Sequence, residues 1–365
     1  MKTILTLLLA LVTSIGFSQN IWIADNRPTA PTGAHVFADI NSAVAAASPG
    51  DIIHVIPSST AYSDAIISKD SLTVFGIGFN PQKDQPNKVS IANITIADNI
   101  FGTRISGLVI TAALNIGQGG AGSNMGNIFI ENCEVARIDG DVCCNTGTKS
   151  NIVIRNCLIG EQATSGDYVL HLRGTYVSAT SVVITNNVIQ GTSSTTNGGY
   201  PSIAVRDAII KNNIFLGNAT NDYAFYVTTS TISNNVFYGR TAMPNGTIGN
   251  SSNNTFNNNV TFGSADDALP IGVSGNTGDS ALVRTDPLFV NLPLVDDWTF
   301  NYDPSPDVGS PLLSAGNDGT DIGVTGSTIP FSSTGTPLPV IKVLRAPEVI
   351  KQGTNLNATI EAVGN

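Results

Sequence analysis

The chain has 365 residues, of which 41% are hydrophobic and only 12% charged, and 17 basic residues against 27 acidic ones give a net charge of −10. So sparse and acidic a charge pattern excludes a nucleic-acid-binding surface, which needs a basic face, and any strong attraction to anionic membranes. After the N-terminal segment, no apolar run is long enough to span a bilayer.

Residues 1–18 read as a secretory signal peptide: Lys2 is the positive start, Ile4–Val12 the apolar run, and Gly16-Phe17-Ser18 the small-residue site before Gln19. The mature chain is therefore expected outside the cytoplasm, in the periplasm, on the cell surface or in the medium. Cleavage removes one basic residue, Lys2, which takes the formal charge from −10 to −11. Residues 19–33 read as an N-terminal extension. An opening module follows, in which Asp39 caps a short helix over Ile40–Ala47 with Ile40, Val44 and Ala47 on one face. Ser48-Pro49-Gly50-Asp51 ends it, and strands are expected at Ile52–Ile56 and Ser71–Gly78. His54, in the alternating IIHVI run, is expected to face solvent.

Between positions 127 and 261 a short phrase recurs: NIFIENCEV, NIVIRNCLI, SVVITNNVI, DAIIKNNIF, TSTISNNVF and NNTFNNNVT. The first Asn of each pair is Asn132, Asn156, Asn186, Asn212, Asn234 or Asn258, so the steps are 24, 30, 26, 22 and 24 residues. Such a period holds three short strands and their turns, one coil of a parallel β-solenoid. Asn accepts left-handed backbone angles, which suits a two-residue corner between strands. Stacked coils lie ~4.8 Å apart, close enough for successive Asn side chains to hydrogen-bond as a ladder. The richness in Val, Ile, Thr and Asn, with no 3.6-residue pattern, excludes a helical repeat. Ile154, Ile184, Ile210 and Ile232 are expected to stack in the core. Alternation weakens after Phe262, and a long surface loop is expected within 253–276. Trp298–Phe300, Leu312 and Ile322 are expected to close the C-terminal end. Residues 327–339 are rich in Ser, Thr, Gly and Pro, as a linker is, and 340–365 hold two strand-like runs of a hairpin-like tail.

The stretch FADINSAVAAASPGDIIHVIP, with KDSLTVFGIG and RISGLVI after it, resembles the opening of pectin-lyase-like β-helix proteins, and the Asn-Asn phrases are similar to that superfamily's repeats. DPLFVN and SPLLSAGNDGTDIGVTG resemble the closing segments of secreted bacterial members without an assigned activity. The resemblance implies an all-β fold: a single-stranded right-handed parallel β-helix over 34–326, with a short N-terminal capping helix. It does not imply a reaction, since this architecture carries lyases, hydrolases, adhesins and inert scaffolds.

Aligning the strands before each Asn pair gathers Asp141, His171, Arg173, Arg206 and Tyr226 on one outward face, with Leu170, Leu172, Ile203, Val205, Phe225 and Val227 turned inward. Arg173 and Arg206 as neighbours, with Tyr226 close by, suit a carboxylated or hydroxyl-rich sugar. In a lyase, Arg173, Arg206 or His171 would take the proton beside a uronate carboxylate while a cation steadies the developing charge, and Asp141 and Tyr226 would bind. An exposed strand face also carries such residues as plain surface. The pectate-lyase-like pattern needs clustered carboxylates for calcium, and the polygalacturonase-like pattern needs a Gly-His-Gly stretch; neither is found here. No cofactor is expected, calcium entering only with a lyase. Two readings stand: an exported scaffold that binds polysaccharide or contributes to the cell surface, and a polysaccharide lyase or glycoside hydrolase acting on uronate-containing glycans.

Cys133 and Cys157 fill the same slot of neighbouring repeats, within reach of a disulfide, although stacked side chains point the same way and favour a shared corner slot without a bond. Zinc is not expected, because no C-x-x-C pair or nearby His exists. Asp139-Gly140-Asp141 and Asp318-Gly-Thr-Asp321 read as turns, and GQGGAG (117–122) has no phosphate-loop setting.

Overall fold

The computed structural model describes residues 19–80, 87–119, 122–140, 147–160, 168–172, 178–190, 202–217, 223–242, 251–294, 298–332, 340–345 and 359–363. The expected signal peptide, Asp141 and Arg173 lie outside them. The fold is nearly all β, a parallel β-helix built on a 12-stranded and a 13-stranded sheet. Its strands stand in three columns, and one coil shows the order. Ala208–Lys211 lies in the first column, Ile214–Leu216 in the second and Phe225–Thr228 in the third, and Thr231–Ser233 then returns to the first. The second and third columns form one sheet because Val109–Ile116 is long enough to pair in both.

Each coil has two left-handed corners. Asn132, Asn156, Asn186, Asn212, Asn234 and Asn258 take φ of 51–55° between the first and second columns. This is the conformation that the Asn of each phrase predicts. A second such row lies just before the first-column strands or within the longer of them: Asn127, Asn151, Ser181, Asp207, Thr229 and Asn253, with φ of 49–59°. Its residue types vary, so no recurring letter marks it in the sequence.

The second Asn of a pair points inward and bonds along the stack. The Asn213 side-chain amide donates to the Ile184 carbonyl at 2.9 Å and to the Asn235 amide oxygen at 2.9 Å, and its own oxygen accepts from the Asn187 backbone and side chain at 3.0 Å. Asn235 repeats this with Ile210 and Asn259. Between the corners, Ile154, Ile184, Ile210 and Ile232 pair in register and are fully buried, each worth about 2 kcal/mol of apolar burial.

At the N-terminal end the helix Ile40–Ala46 buries Ile40, Ala43 and Val44. Asp39 accepts from the Ser42 backbone at 2.7 Å, and Lys69 donates to the carbonyls of Ala45 and Ala47 at the other end. The first coil begins within 19–33, because Ile21–Ala24 pairs with Ile52–Val55. His54 does not stand open to solvent: its ring stacks on Phe75 at 4.5 Å, its Nε2 is buried, and burial lowers its pKa. Period-2 alternation puts it outward, but its aromatic neighbour covers it.

Two expectations for the C-terminal third are corrected. Coiling continues past Phe262, with Thr255–Asn257, Val260–Phe262 and Thr277–Gly278 in parallel pairing and Leu269 buried against the inner core. Trp298, Leu312 and Ile322 do not close the end. They form a second core outside the coils, over Leu158, Val188, Ile214, Val236 and Val260 of the second column. After the pairs at Asn156, Asn186, Asn212 and Asn234, both following apolar residues are thus buried, one inside and one under this strap. The outward corner Asn side chains hold it: Asn186 donates to the Val324 and Gly326 carbonyls, Asn212 to those of Asp321 and Gly323, and Asn258 to that of Ala315. Lys211 adds an ion pair with Asp318 at 2.6 Å. Val340–Arg345 and Thr359–Val363 pair as an antiparallel hairpin.

Asn213→Ala should destabilise the protein by about 2–4 kcal/mol in denaturant unfolding, because it orphans buried donors and acceptors on two neighbouring coils. Burial alone would raise the Asp318 carboxyl, but hydrogen bonds from Lys211 and Thr320 outweigh it and hold the pKa at about 2. Its share of the strap's attachment is therefore complete above an unfolded-state pKa of about 3.9 and is lost as pH falls towards the folded value. Hydrogen exchange of residues 312–326, corrected for intrinsic rate, should accelerate across that acid window, and Asp318→Asn should show the faster exchange already at neutral pH.

Candidate functional site

Among the described residues, no strap crosses the outward side chains of the third column. In register, Asn115, Asp139, His171, Ala204 and Tyr226 occupy one outward position on successive coils. Behind them Leu114, Ile138, Leu170, Ile203 and Phe225 are fully buried, which fixes the orientation of the row. Arg137 Nη2 lies 3.1 Å from Asp139 Oδ2, and the other Asp139 oxygen lies 3.8 Å from His171 Nδ1, an electrostatic contact longer than a hydrogen bond. Tyr168, at the entry to the strand Leu170–His171, stacks on His171 at 4.6 Å and on Tyr226 at 6.2 Å. Ala204, the fully buried residue between His171 and Tyr226 in the row, is small enough to leave space for that ring. The result is a half-buried array of two tyrosines and an imidazole, with a carboxylate and a guanidinium at one end.

Arg206 projects, exposed, two positions along the strand from Ala204 and pairs in register with Thr228. The structure thus brings His171 and Tyr226 together, with Arg206 on the same face. Ile138 pairs with Leu170, so Asp139 takes the place beside His171, and Asp141 lies outside the described residues. Two turn-like residues, Asp139 and Gly140, hid that strand register. Tyr168 and Arg137 were also missed: neither lies on the alternating part of its strand, and only their proximity through the neighbouring coil marks them.

Among the described residues no three His, Cys, Asp or Glu side chains converge to hold a metal ion. Asp139, the described carboxylate of this row, is already engaged by Arg137 and His171. Cys133 and Cys157 are free and fully buried. They sit one coil apart in the slot that Asn187 and Asn213 fill above them, and each thiol donates to the carbonyl two residues back, at 3.2 Å. Parallel stacking aims both thiols at their own chain, so the disulfide is not formed.

No family model matches the chain, and no curated protein matches it. Among solved structures, an alginate lyase from Paenibacillus sp. str. FPU-7 is similar at 16% identity and a TM-score of 0.35, over 65% of this chain and 91% of that one. A mutant of the PL6 family alginate lyase AlyGC is similar at 17% identity and a TM-score of 0.29, over 61% of this chain and 30% of that one. The chain therefore spans less than a third of the second protein. The likeness concerns the fold alone and transfers no activity.

Burial raises the Cys157 thiol well above its ordinary pKa, so it stays protonated and shielded at neutral pH. The native protein should leave Cys133 and Cys157 unlabelled by a thiol reagent. Denatured without reductant, it should yield two more thiol equivalents than the Cys133→Ala/Cys157→Ala variant, whereas equal yields would show a bond.

Proposed function

We propose that this protein is an exported right-handed β-helix scaffold that binds polysaccharide along its third strand column. The stacked Tyr168, His171 and Tyr226 rings, edged by Arg137 and Asp139 with Arg206 on the same face, carry the reading. Sugar rings offer apolar C–H faces to aromatic rings and hydroxyl or carboxylate groups to charged side chains, and this row supplies both. Coils spaced ~4.8 Å apart repeat such contacts along the axis, which favours a polymer over a compact ligand. By the alternation read from the sequence, Arg173 would extend the cationic edge beside Arg206. Right-handed crossovers are the rule for parallel strands, and the helix Ile40–Ala46 serves as the cap that blunts the first coil. The apolar run of residues 4–12 directs export to the periplasm, the cell surface or the medium.

The contact of Asp139 with His171 favours a second reading, β-elimination on a uronate-containing glycan. His171, oriented by Asp139, would take the proton next to the uronate carboxylate. Arg206 would steady the enolate-like charge, and the glycosidic oxygen would leave as the ring double bond forms. No step is routed through calcium.

The mature protein should be retarded in native gels cast with one or more members of a panel of neutral and uronate-containing polysaccharides. Tyr226→Ala should weaken that retention about tenfold, the value of losing one aromatic contact. Retention that Tyr226→Ala and Arg206→Ala leave unchanged would remove the third column as the binding face. Ultraviolet absorbance of unsaturated uronate ends, abolished in His171→Ala, would establish the lyase.

A further inference from the structure

A second site lies on the first column, away from the tyrosine row. The outward residues of four successive coils there are Phe129, Val153, Val183 and Ile209, an apolar stripe that ends in an isoleucine 49% exposed. Two positions along each strand, a parallel row runs Glu131, Arg155, Thr185 and Lys211. Where these rows pass the strap, Ser327–Ile329 overhang them and turn the flat face into a groove. Val183 and Ile209 form its floor, Ile329 stands as a wall, and Arg155 and Lys211 face into it.

The groove is built, and does not result from a loose overhang. Ser327 sits in a left-handed turn at φ 74°, its hydroxyl donates to the Asn186 amide oxygen at 3.0 Å, and its backbone N–H donates to Thr320 Oγ1 at 3.0 Å. Asn186 in turn binds the strap's carbonyls at Val324 and Gly326. Below the lip, Arg155 engages one Glu131 oxygen through Nε and Nη2 at 2.6 and 2.5 Å, which leaves Nη1 without a partner among the described residues. Glu131 is also held by Arg104, so this trio keeps one positive charge in excess. Lys211 spends one donor on Asp318 and retains two. Thr185 and Ser327 each donate to the same Asn186 oxygen and keep lone pairs to accept with. Among the described residues no acidic side chain lines the groove itself.

We propose that this groove is a second carbohydrate site, which takes an acidic disaccharide unit of a polysaccharide and holds a carboxylate at Arg155, at Lys211 or at both. The two cations stand two coils apart, about 10 Å, close to the length of two linked pyranose rings. The C–H faces of the sugars lie on Val183 and Ile209, and their hydroxyls reach Thr185 and Ser327. An apolar floor with cations at both ends rejects a purely neutral glycan less strongly than it selects a charged one. The cations are only 28% and 29% exposed, so water screens them less than it would on an open surface. The site is independent of the third column, and together the two would bind a polymer to two faces of one rod.

The test uses tetragalacturonate, titrated calorimetrically into the mature Tyr226→Ala protein, in which the third column is weakened. Binding should persist, fall with added salt, and drop at least tenfold on Ile209→Glu or Lys211→Met. Ile209 is exposed, so its replacement leaves the core intact, which an unchanged melting temperature would verify. Ile209→Lys, equal in bulk and opposite in charge, should retain or tighten binding. The proposal is overturned by no binding in the Tyr226→Ala background, by indifference to Ile209→Glu, or by equal affinity for maltotetraose or a tetraglutamate peptide. The reading of the third column survives each of those results, because it rests on the contrast between wild type and Tyr226→Ala.

Discussion

The fold depends on the Asn pair at the corner between the first and second columns. Its first residue holds a left-handed φ of 51–55°, which reverses the chain within two residues and aims the second side chain inward. That inward amide enters a dry core, where an unpaired donor or acceptor costs about 1–3 kcal/mol. A free corner carbonyl and the next coil's amide satisfy it, as in the bonds of Asn187 to Ile154 and Asn213. Each corner is therefore completed only by the following one. Where Cys133 and Cys157 replace the amide, a thiol donates to the same kind of carbonyl, and the Cys157 backbone still donates to Asn187.

The three columns share this corner but differ in what becomes of their outer faces. The second is apolar and covered, because the outward corner Asn side chains grip a strap whose Leu312, Ile322 and Val324 bury the outer row. The first is covered at its edge, where Ser327–Ile329 overhang it. Among the described residues the third carries no strap, and the chain that joins it to its neighbours varies in length from coil to coil. The interval between Gln190 and Ile203 is longer than that between Leu216 and Phe225. The spread in the repeat, from 22 to 30 residues, is absorbed mainly in those connections and not in the corners. A rigid column flanked by variable connections is a common arrangement for binding residues.

With charges at only 12% of the chain, ion pairs are placed where they organise a surface. Arg104 and Arg155 flank the nearly buried Glu131 on the first column, Arg137 and His171 flank Asp139 on the third, and Lys211 pins the strap through Asp318. The first two clusters each span at least two coils and the third joins a coil to the strap, so none is complete within a single coil.

The sequence by itself determined the parallel coil, its approximate period, the inward stack of Ile154, Ile184, Ile210 and Ile232, and the facing of Leu170, Ile203 and Phe225. These depend on local rules, period-2 alternation and the left-handed tolerance of Asn, that act within a few residues. What the second apolar residue of each repeat was for could not be read that way. Val188, Ile214 and Val236 look like core residues, yet they wait for a strap that arrives about a hundred residues later in the chain. The same holds for the candidate site. His171, Tyr226 and Arg206 were legible from strand alternation, whereas Asp139, Arg137 and Tyr168 join them only through the register between coils. A slip of a few residues along this segment changes which carboxylate meets the imidazole, and only the tertiary pairing of Ile138 with Leu170 decides it.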